Sequence, residues 1–181
     1  MGIHEWAEKL VLLQTARISI RKLICADVQD YFIMYSDAEA MRYRGQMPFE
    51  KIEDAQVSLK QVQDDWFANI KFRVALVLKE SNALIGTFLI KSIEEDSCEI
   101  GYSLDKNYWN QGIMTEVCRA VVSFLLEEAE METIYAVVRE GNESSMRLLQ
   151  KLQFKPAALQ LTGGKNISYY YRKKEKTAGM H

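Results

Sequence analysis

Up to Ile70 the apolar positions recur mostly at helical spacing. Ile3, Trp6, Leu10 and Leu13 predict a short amphipathic helix within residues 1–14, an N-terminal extension that either caps its own domain or meets a partner. Ile18, Ile20 and Lys22 alternate with Arg17, Ser19 and Arg21, the pattern of a half-buried strand. A helix is expected to open at Asp27 and run through Ser36, a second helical piece covers 37–43, and Gly45 and Pro48 punctuate the loop after it. Ile52, Ala55, Leu59, Val62 and Trp66 then mark one face of a helix between Glu50 and Ile70.

Beyond Ile70 the texture changes to strands. Phe72–Lys79, Leu84–Ile93 and Cys98–Leu104 are expected strands of an antiparallel meander, turning at Ser81-Asn82 and at the acidic residues 94–96. A helix with a broad apolar face follows from Met114 to Glu130, then a strand at Thr133–Val138, a helix at Glu143–Leu152 and a strand at Phe154–Leu161. The run Thr162-Gly163-Gly164-Lys165-Asn166 turns the chain into a last strand at Ser168–Arg172, and 173–181 is expected to be a frayed basic tail. A meander that passes into strand–helix–strand units predicts a mixed α/β sheet in one domain, residues 15–172.

Composition narrows the function classes. With 181 residues, one domain is the leading expectation, and 48% hydrophobic with 27% charged residues is an ordinary globular balance. Lys and Arg number 23 against 25 Asp and Glu, a net charge of -2 that supplies no footprint for nucleic acid. Cys25, Cys98 and Cys118 form no C-x-x-C pair, and His4 and His181 lie at the chain ends, so neither a disulfide framework nor a metal site is expected. Charges at Glu5, Glu8 and Lys9 interrupt the N-terminal apolar residues, and no apolar run approaches the roughly 20 residues that span a bilayer. A cytoplasmic protein without membrane contact is the expectation.

The chemistry is concentrated in two strand-to-helix junctions. In EIGYSLDKNYWNQGIMTE, residues 99–116, a strand ends near Leu104 and a loop carrying Gly112 leads straight into a helix. Unpaired amides and the positive end of the helix dipole make that loop a natural phosphate seat, although a glycine before a helix serves equally as a turn residue. In REGNESSMRLLQKLQF, residues 139–154, Asn142 is placed to cap a helix and Ser145 lies in its first turn. In a parallel strand–helix–strand unit both junctions fall at the same sheet edge, where ligands usually bind.

YWNQGIMTE followed by NESSMRLLQKLQF resembles the acyl-CoA-binding core of the GNAT N-acetyltransferase superfamily, and TARISIRKL at residues 15–23 is similar to the first strand of its ribosomal-protein N-terminal acetyltransferase (RimJ/RimL-type) branch. The resemblance implies the acyl-CoA N-acyltransferase fold, α/β with a mixed, mostly antiparallel central sheet flanked by helices. It implies acetyl-CoA as co-substrate, with the pyrophosphate on the backbone of Asn110, Gln111, Gly112, Ile113, Met114 and Thr115. The pantetheine arm would pair along Tyr102, Ser103 and Leu104 as an added strand, with Asn142 facing it. This chain departs from the pattern at Asn110, at Met114, where a small residue is usual, and at Gln153, where glycine is usual.

Acetyl transfer to an amine needs a base, an oxyanion site and a proton for the leaving thiolate. Glu99, one step before Ile100 on the strand leading to the thioester, is the candidate base, or else a surface carboxylate. The oxyanion would rest on a backbone amide near Tyr102 or Ser103. At the position where relatives carry an acidic Tyr this chain has Leu149, so the proton comes from Ser145 or from water. Cys98 and Cys118 are read as core, which leaves direct attack without an acyl-enzyme.

The acceptor is expected to be a protein N-terminal α-amine. A small-molecule amine (polyamine, aminoglycoside or amino-acid-like) is the alternative, and a non-catalytic acyl-CoA-binding module is a further reading motivated by Met114 and Gln153. An acidic cleft would favour a polyamine or aminoglycoside, a neutral one a peptide end. Tyr31, Tyr35, Tyr43, Arg42, Arg44, Trp66 and Phe67 are candidates to line the acceptor cleft, unless the aromatics are core. Tyr169, Tyr170 and Tyr171 must alternate between faces, so at least one meets solvent, the cleft or a second copy in a homodimer.

Overall fold

The computed structural model describes residues 2–162 and 165–175. Seven strands form one sheet in the order β1-β2-β3-β4-β5-β7-β6. They are β1 (Ile18–Lys22), β2 (Phe72–Leu78), β3 (Leu84–Lys91), β4 (Ser97–Leu104), β5 (Thr133–Arg139), β6 (Lys155–Thr162) and β7 (Lys165–Lys173). Every neighbouring pair is antiparallel except β4 with β5, so the sheet is mixed and mostly antiparallel, as the resemblance implies.

Helices cover both faces unequally. On one face α1 (Ile3–Leu10), α5 (Ile113–Glu127) and α6 (Glu143–Lys151) pack over alternate strand residues such as Val74, Phe88, Ile100 and Ile134 to make the main core. On the other, α2 (Val28–Ser36), α3 (Ala38–Met41) and α4 (Ile52–Phe67) enclose a smaller core around Tyr31, Tyr35, Leu59, Ala75 and Val77. That second layer stops short of β5, where Tyr135 and Val137 remain partly exposed.

The helical period at the N-terminus has a packing reason. Trp6, Ala7 and Leu10 are buried in the main core, and Trp6 meets Phe72 edge-on at a ring-centroid distance of 5.1 Å. The first helix is thus the capping option of the two the sequence allowed.

Several boundaries differ from the sequence pattern. Asp27 lies in a short 3₁₀ turn ahead of α2, because its carboxylate takes two bonds from the Arg21 guanidinium, each 2.7 Å, and one from the Ile24 amide at 2.8 Å. The 37–43 piece shortens to α3, capped by Asp37, whose side chain accepts from the amides of Glu39 and Ala40. β7 starts three residues earlier than expected, and Gly163 and Gly164 of the turn before it lie outside the described residues. At the start of the expected frayed tail, Lys173 pairs with Thr133 and the Lys174 amide donates to the Glu132 carbonyl at 2.9 Å, and residues 176–181 lie outside the described residues.

Candidate active site

β4 and β5 pair only from Ser97–Thr133 to Ile100–Ala136, although β4 runs on to Leu104 and β5 to Arg139. The two parallel strands therefore part after Ile100, and a cleft of about 600 Å³ opens between residues 100–104 and 136–138. An open strand edge offers amides and carbonyls to an extended molecule in the manner of one more strand. The N-terminal ends of α5 and α6 line one side of this cleft, and α3 with the loop behind it lines the other.

The α5 side is built to hold negative charge. Gly112 caps the helix in the left-handed region at φ +74°, a conformation that favours glycine, and Asn110 adopts φ +59°. The first intrahelical bond runs from the Glu116 amide to the Gly112 carbonyl at 3.0 Å, which leaves the amides of Ile113, Met114 and Thr115 ahead of it at the positive end of the dipole. Met114 is only 8% exposed and sits in the main core, so its bulk is largely taken up by the interior.

Arg17 secures this loop from the start of the sheet. Its backbone amide and its Nε donate to the two Glu116 carboxylate oxygens at 2.9 and 2.7 Å, and its Nη1 donates to the Gln111 carbonyl at 2.9 Å. Burial works to raise the Glu116 carboxyl, but hydrogen bonds from Thr15 and Arg17 and the Arg17 charge outweigh it and hold the group below the usual carboxylate range. The guanidinium also offsets a carboxylate that would otherwise repel an anion seated at the same helix end.

Across the cleft, the Asn142 side-chain oxygen accepts from the Ser145 amide at 3.2 Å and so caps α6. The Ser145 side chain on α6 comes beside the Tyr102 phenol on β4. Burial pushes that phenol above its usual value, with the neighbouring Cys118 adding to the effect and the Ser145 hydroxyl opposing it. At the mouth of the cleft, the Trp109 indole N–H donates to the Leu104 carbonyl at 2.9 Å.

The α3 side carries guanidinium groups. Arg42, Tyr43 and Arg44 all line the cleft, and Glu39 is the acidic residue beside them. The Arg44 guanidinium lies 4.3 Å over the ring of Tyr35, whose hydroxyl is 2.9 Å from Thr87 Oγ1 and accepts from Arg73 Nη1 at 2.6 Å. Burial alone would raise the Tyr35 phenol, but the Arg44 and Arg73 charges and the hydrogen bonds from Thr87 and Arg44 outweigh it and bring the group down.

Comparison with known proteins decides the family. The family described as "Acetyltransferase (GNAT) domain" matches residues 17–155. The chain belongs to the GNAT acetyltransferase family. It is 30% identical over 145 residues to the uncharacterized N-acetyltransferase YoaA of Bacillus subtilis, covering 79% of this chain and 82% of that one. Its fold is that of a GNAT-family acetyltransferase from Bacillus anthracis, with a TM-score of 0.80 at 22% identity over 91% of this chain and 99% of that one. It also matches the ribosomal L7/L12 α-N-protein acetyltransferase RimL in complex with coenzyme A, with a TM-score of 0.79 at 14% identity over 90% and 97% of the two chains.

This GNAT protein is an acetyl-CoA-dependent N-acetyltransferase. All the residues that the resemblance assigned to acetyl-CoA line the cleft except Gln111, which turns its carbonyl to Arg17 and donates its side-chain amide to the Asn107 carbonyl at 3.0 Å. Ser145 lines the cleft and Glu99 does not. Glu99 stands opposite Lys91 across the β3–β4 pair, 3.0 Å from its ammonium, on the sheet face that carries Thr87 and Ser103. Of the aromatic acceptor candidates only Tyr43 lines the cleft. Tyr31 and Tyr35 are buried in the smaller core, Trp66 packs on Phe72, and Phe67 is 90% exposed on α4.

Cys98 and Cys118 are both buried, and burial pushes their thiols up, Cys98 to about 12, which suppresses the thiolate. The described residues contain no group of three or more potential metal ligands and no helix long and apolar enough to cross a membrane. Arg17 was not singled out by the sequence reading. Its only signal there was its place in the TARISIRKL resemblance, because its partners are 94 and 99 residues away.

Proposed function

We propose that the protein transfers acetyl from acetyl-CoA to the α-amine of a peptide or protein N-terminus by direct attack. The observation that carries the acceptor class is the charge of the cleft: Arg42 and Arg44 outnumber Glu39 on the α3 side, a poor environment for a polyamine or aminoglycoside cation. An α-amine has an ordinary pKa of about 7.7–8.0, so a useful neutral fraction exists near pH 7 and little base assistance is needed. Much of the rate then comes from holding amine and thioester together.

In this reading the pyrophosphate rests on the amides of Ile113, Met114 and Thr115, and the pantetheine amides pair with β4 along 102–104. The Asn142 oxygen is engaged in the cap, which leaves its amide N–H₂ to face the pantetheine. The amine lone pair attacks the thioester carbon, and the oxyanion takes a backbone N–H near Tyr102 or Ser103. The C–S bond breaks, the amine's proton passes through water to Glu99, which stands outside the cleft lining beside Lys91, and the thiolate takes a proton from Ser145 or from water.

A thiol-release assay with acetyl-CoA over a panel of N-terminal peptides, spermidine and an aminoglycoside tests the assignment. Peptides should be acetylated with the highest kcat/KM, and Glu99→Gln should lower kcat more than it changes the KM for acetyl-CoA. Faster turnover of spermidine than of every peptide would overturn the acceptor class.

A further inference from the structure

Resting on the acetyltransferase reading of the cleft, we propose that the acceptor carries a carboxylate close behind its amine and that Arg44 is the residue that binds it. Among the described residues, three arginines form an ion pair with a carboxylate. Arg17 has Glu116 at 2.7 Å, Arg21 has Asp27 at 2.7 Å and Arg147 has Glu143 at 2.9 Å. Among the described residues, no carboxylate forms an ion pair with Arg44 or with Arg73 behind it. Both act on the Tyr35 phenol, which can supply at most one negative charge for the two guanidiniums, while Asp65 acts on Arg73 from beyond ion-pair distance. Arg44 is only partly buried and lines the open cleft, where the planar fork of an arginine suits a carboxylate that accepts two parallel bonds.

Position connects this cluster with the reaction. Thr87, which bonds Tyr35, stands directly across from Ser103 in the β3–β4 register, one strand from the open edge of β4. Arg44 lines the cleft from the α3 side, whereas the phosphate seat lies at α5 on the opposite face of the sheet, so the two anion sites serve different parts of the ternary complex. The loop that carries Arg44 is held in place. The Arg139 guanidinium lies so close to Gly45 that a β-carbon there would stand 2.7 Å from it, and the Tyr43 ring packs on Gly141, whose own β-carbon would meet it at 3.6 Å.

The test measures kcat/KM on C-terminally amidated peptides that differ only at the second residue (Asp, Asn or Lys), with a free amino acid and a dipeptide bearing a free carboxylate as further arms. The Asp peptide should exceed the Asn peptide by about tenfold or more at low salt, and the advantage should shrink as salt is added. Arg44→Gln should abolish the preference through the acceptor's KM, and Arg44→Lys should retain part of it. Preference for the free amino acid would identify an α-carboxylate as the source, and preference for the Asp peptide an acidic side chain. Equal rates on the Asp and Asn peptides with wild-type protein, or an Arg44→Gln effect confined to the KM for acetyl-CoA, would overturn the proposal. Acetyl-CoA binding with no peptide acetylated would remove the peptide-acceptor reading itself, a result distinct from peptides acetylated without charge preference.

Discussion

A residue with a side chain pays roughly 1 kcal/mol or more to stand in the left-handed region, and Gln153 does so at φ +63° where the chain leaves α6. The cause lies one residue on. The Phe154 amide donates back to the Leu149 carbonyl at 3.0 Å and its ring is buried, so the turn must be tight enough to return Phe154 to the core. Gln153→Gly should therefore stabilise the protein by up to about 1 kcal/mol, a rise in Tm of about 2–4 °C for a domain of this size, with the KM for acetyl-CoA unchanged. A fall in Tm on thermal denaturation would contradict this account. The departure at 153 was visible in the sequence, but its outcome was not, because it depends on where the neighbouring Phe154 is buried.

Elements were legible where one face of one segment carries the signal. Trp6 and Leu10 at helical spacing gave α1, and alternation gave β1 through β5 to within a few residues, because burial on one side repeats along the segment itself. The parting of β4 from β5 was not legible: both strands continue their alternation past Ile100 and Ala136, and only their mutual distance changes. The docking of the α3 loop on Gly141 is likewise non-local. Helix α1 offers a direct test of packing at this scale. With Trp6 2% exposed and edge-on to Phe72, Trp6→Ala should cost about 3–5 kcal/mol in urea denaturation, as for other large core aromatics, whereas a loosely attached extension would lose less than about 1 kcal/mol.

At the scale of the whole molecule, a net charge of -2 conceals a segregation of charge. Arg42, Arg44, Arg147 and Lys151 face the cleft against Glu39, so the near-neutral composition averages away the feature that favours an anionic ligand. The same basic cluster gives the folded state an unusual titration. Tyr35 is brought down from 10.0 to about 7 because the Arg44 and Arg73 charges outweigh the effect of burial, whereas Tyr31 beside it is raised. For an acid whose folded value is depressed, the stabilisation is fully present above the unfolded value and is lost as pH falls through the folded one. Stability from this group should accordingly rise between pH 7 and 10, where the unfolded chain still holds the proton that the native phenol has released. The raised phenols of Tyr31 and Tyr102 act in the opposite sense only above that window. Tyrosinate absorbance of the native protein should show one tyrosine titrating early, and Tyr35→Phe should remove both that step and the accompanying rise in Tm. A single tyrosinate step confined to the pH range of free phenol would show that the two guanidiniums do not bring Tyr35 down.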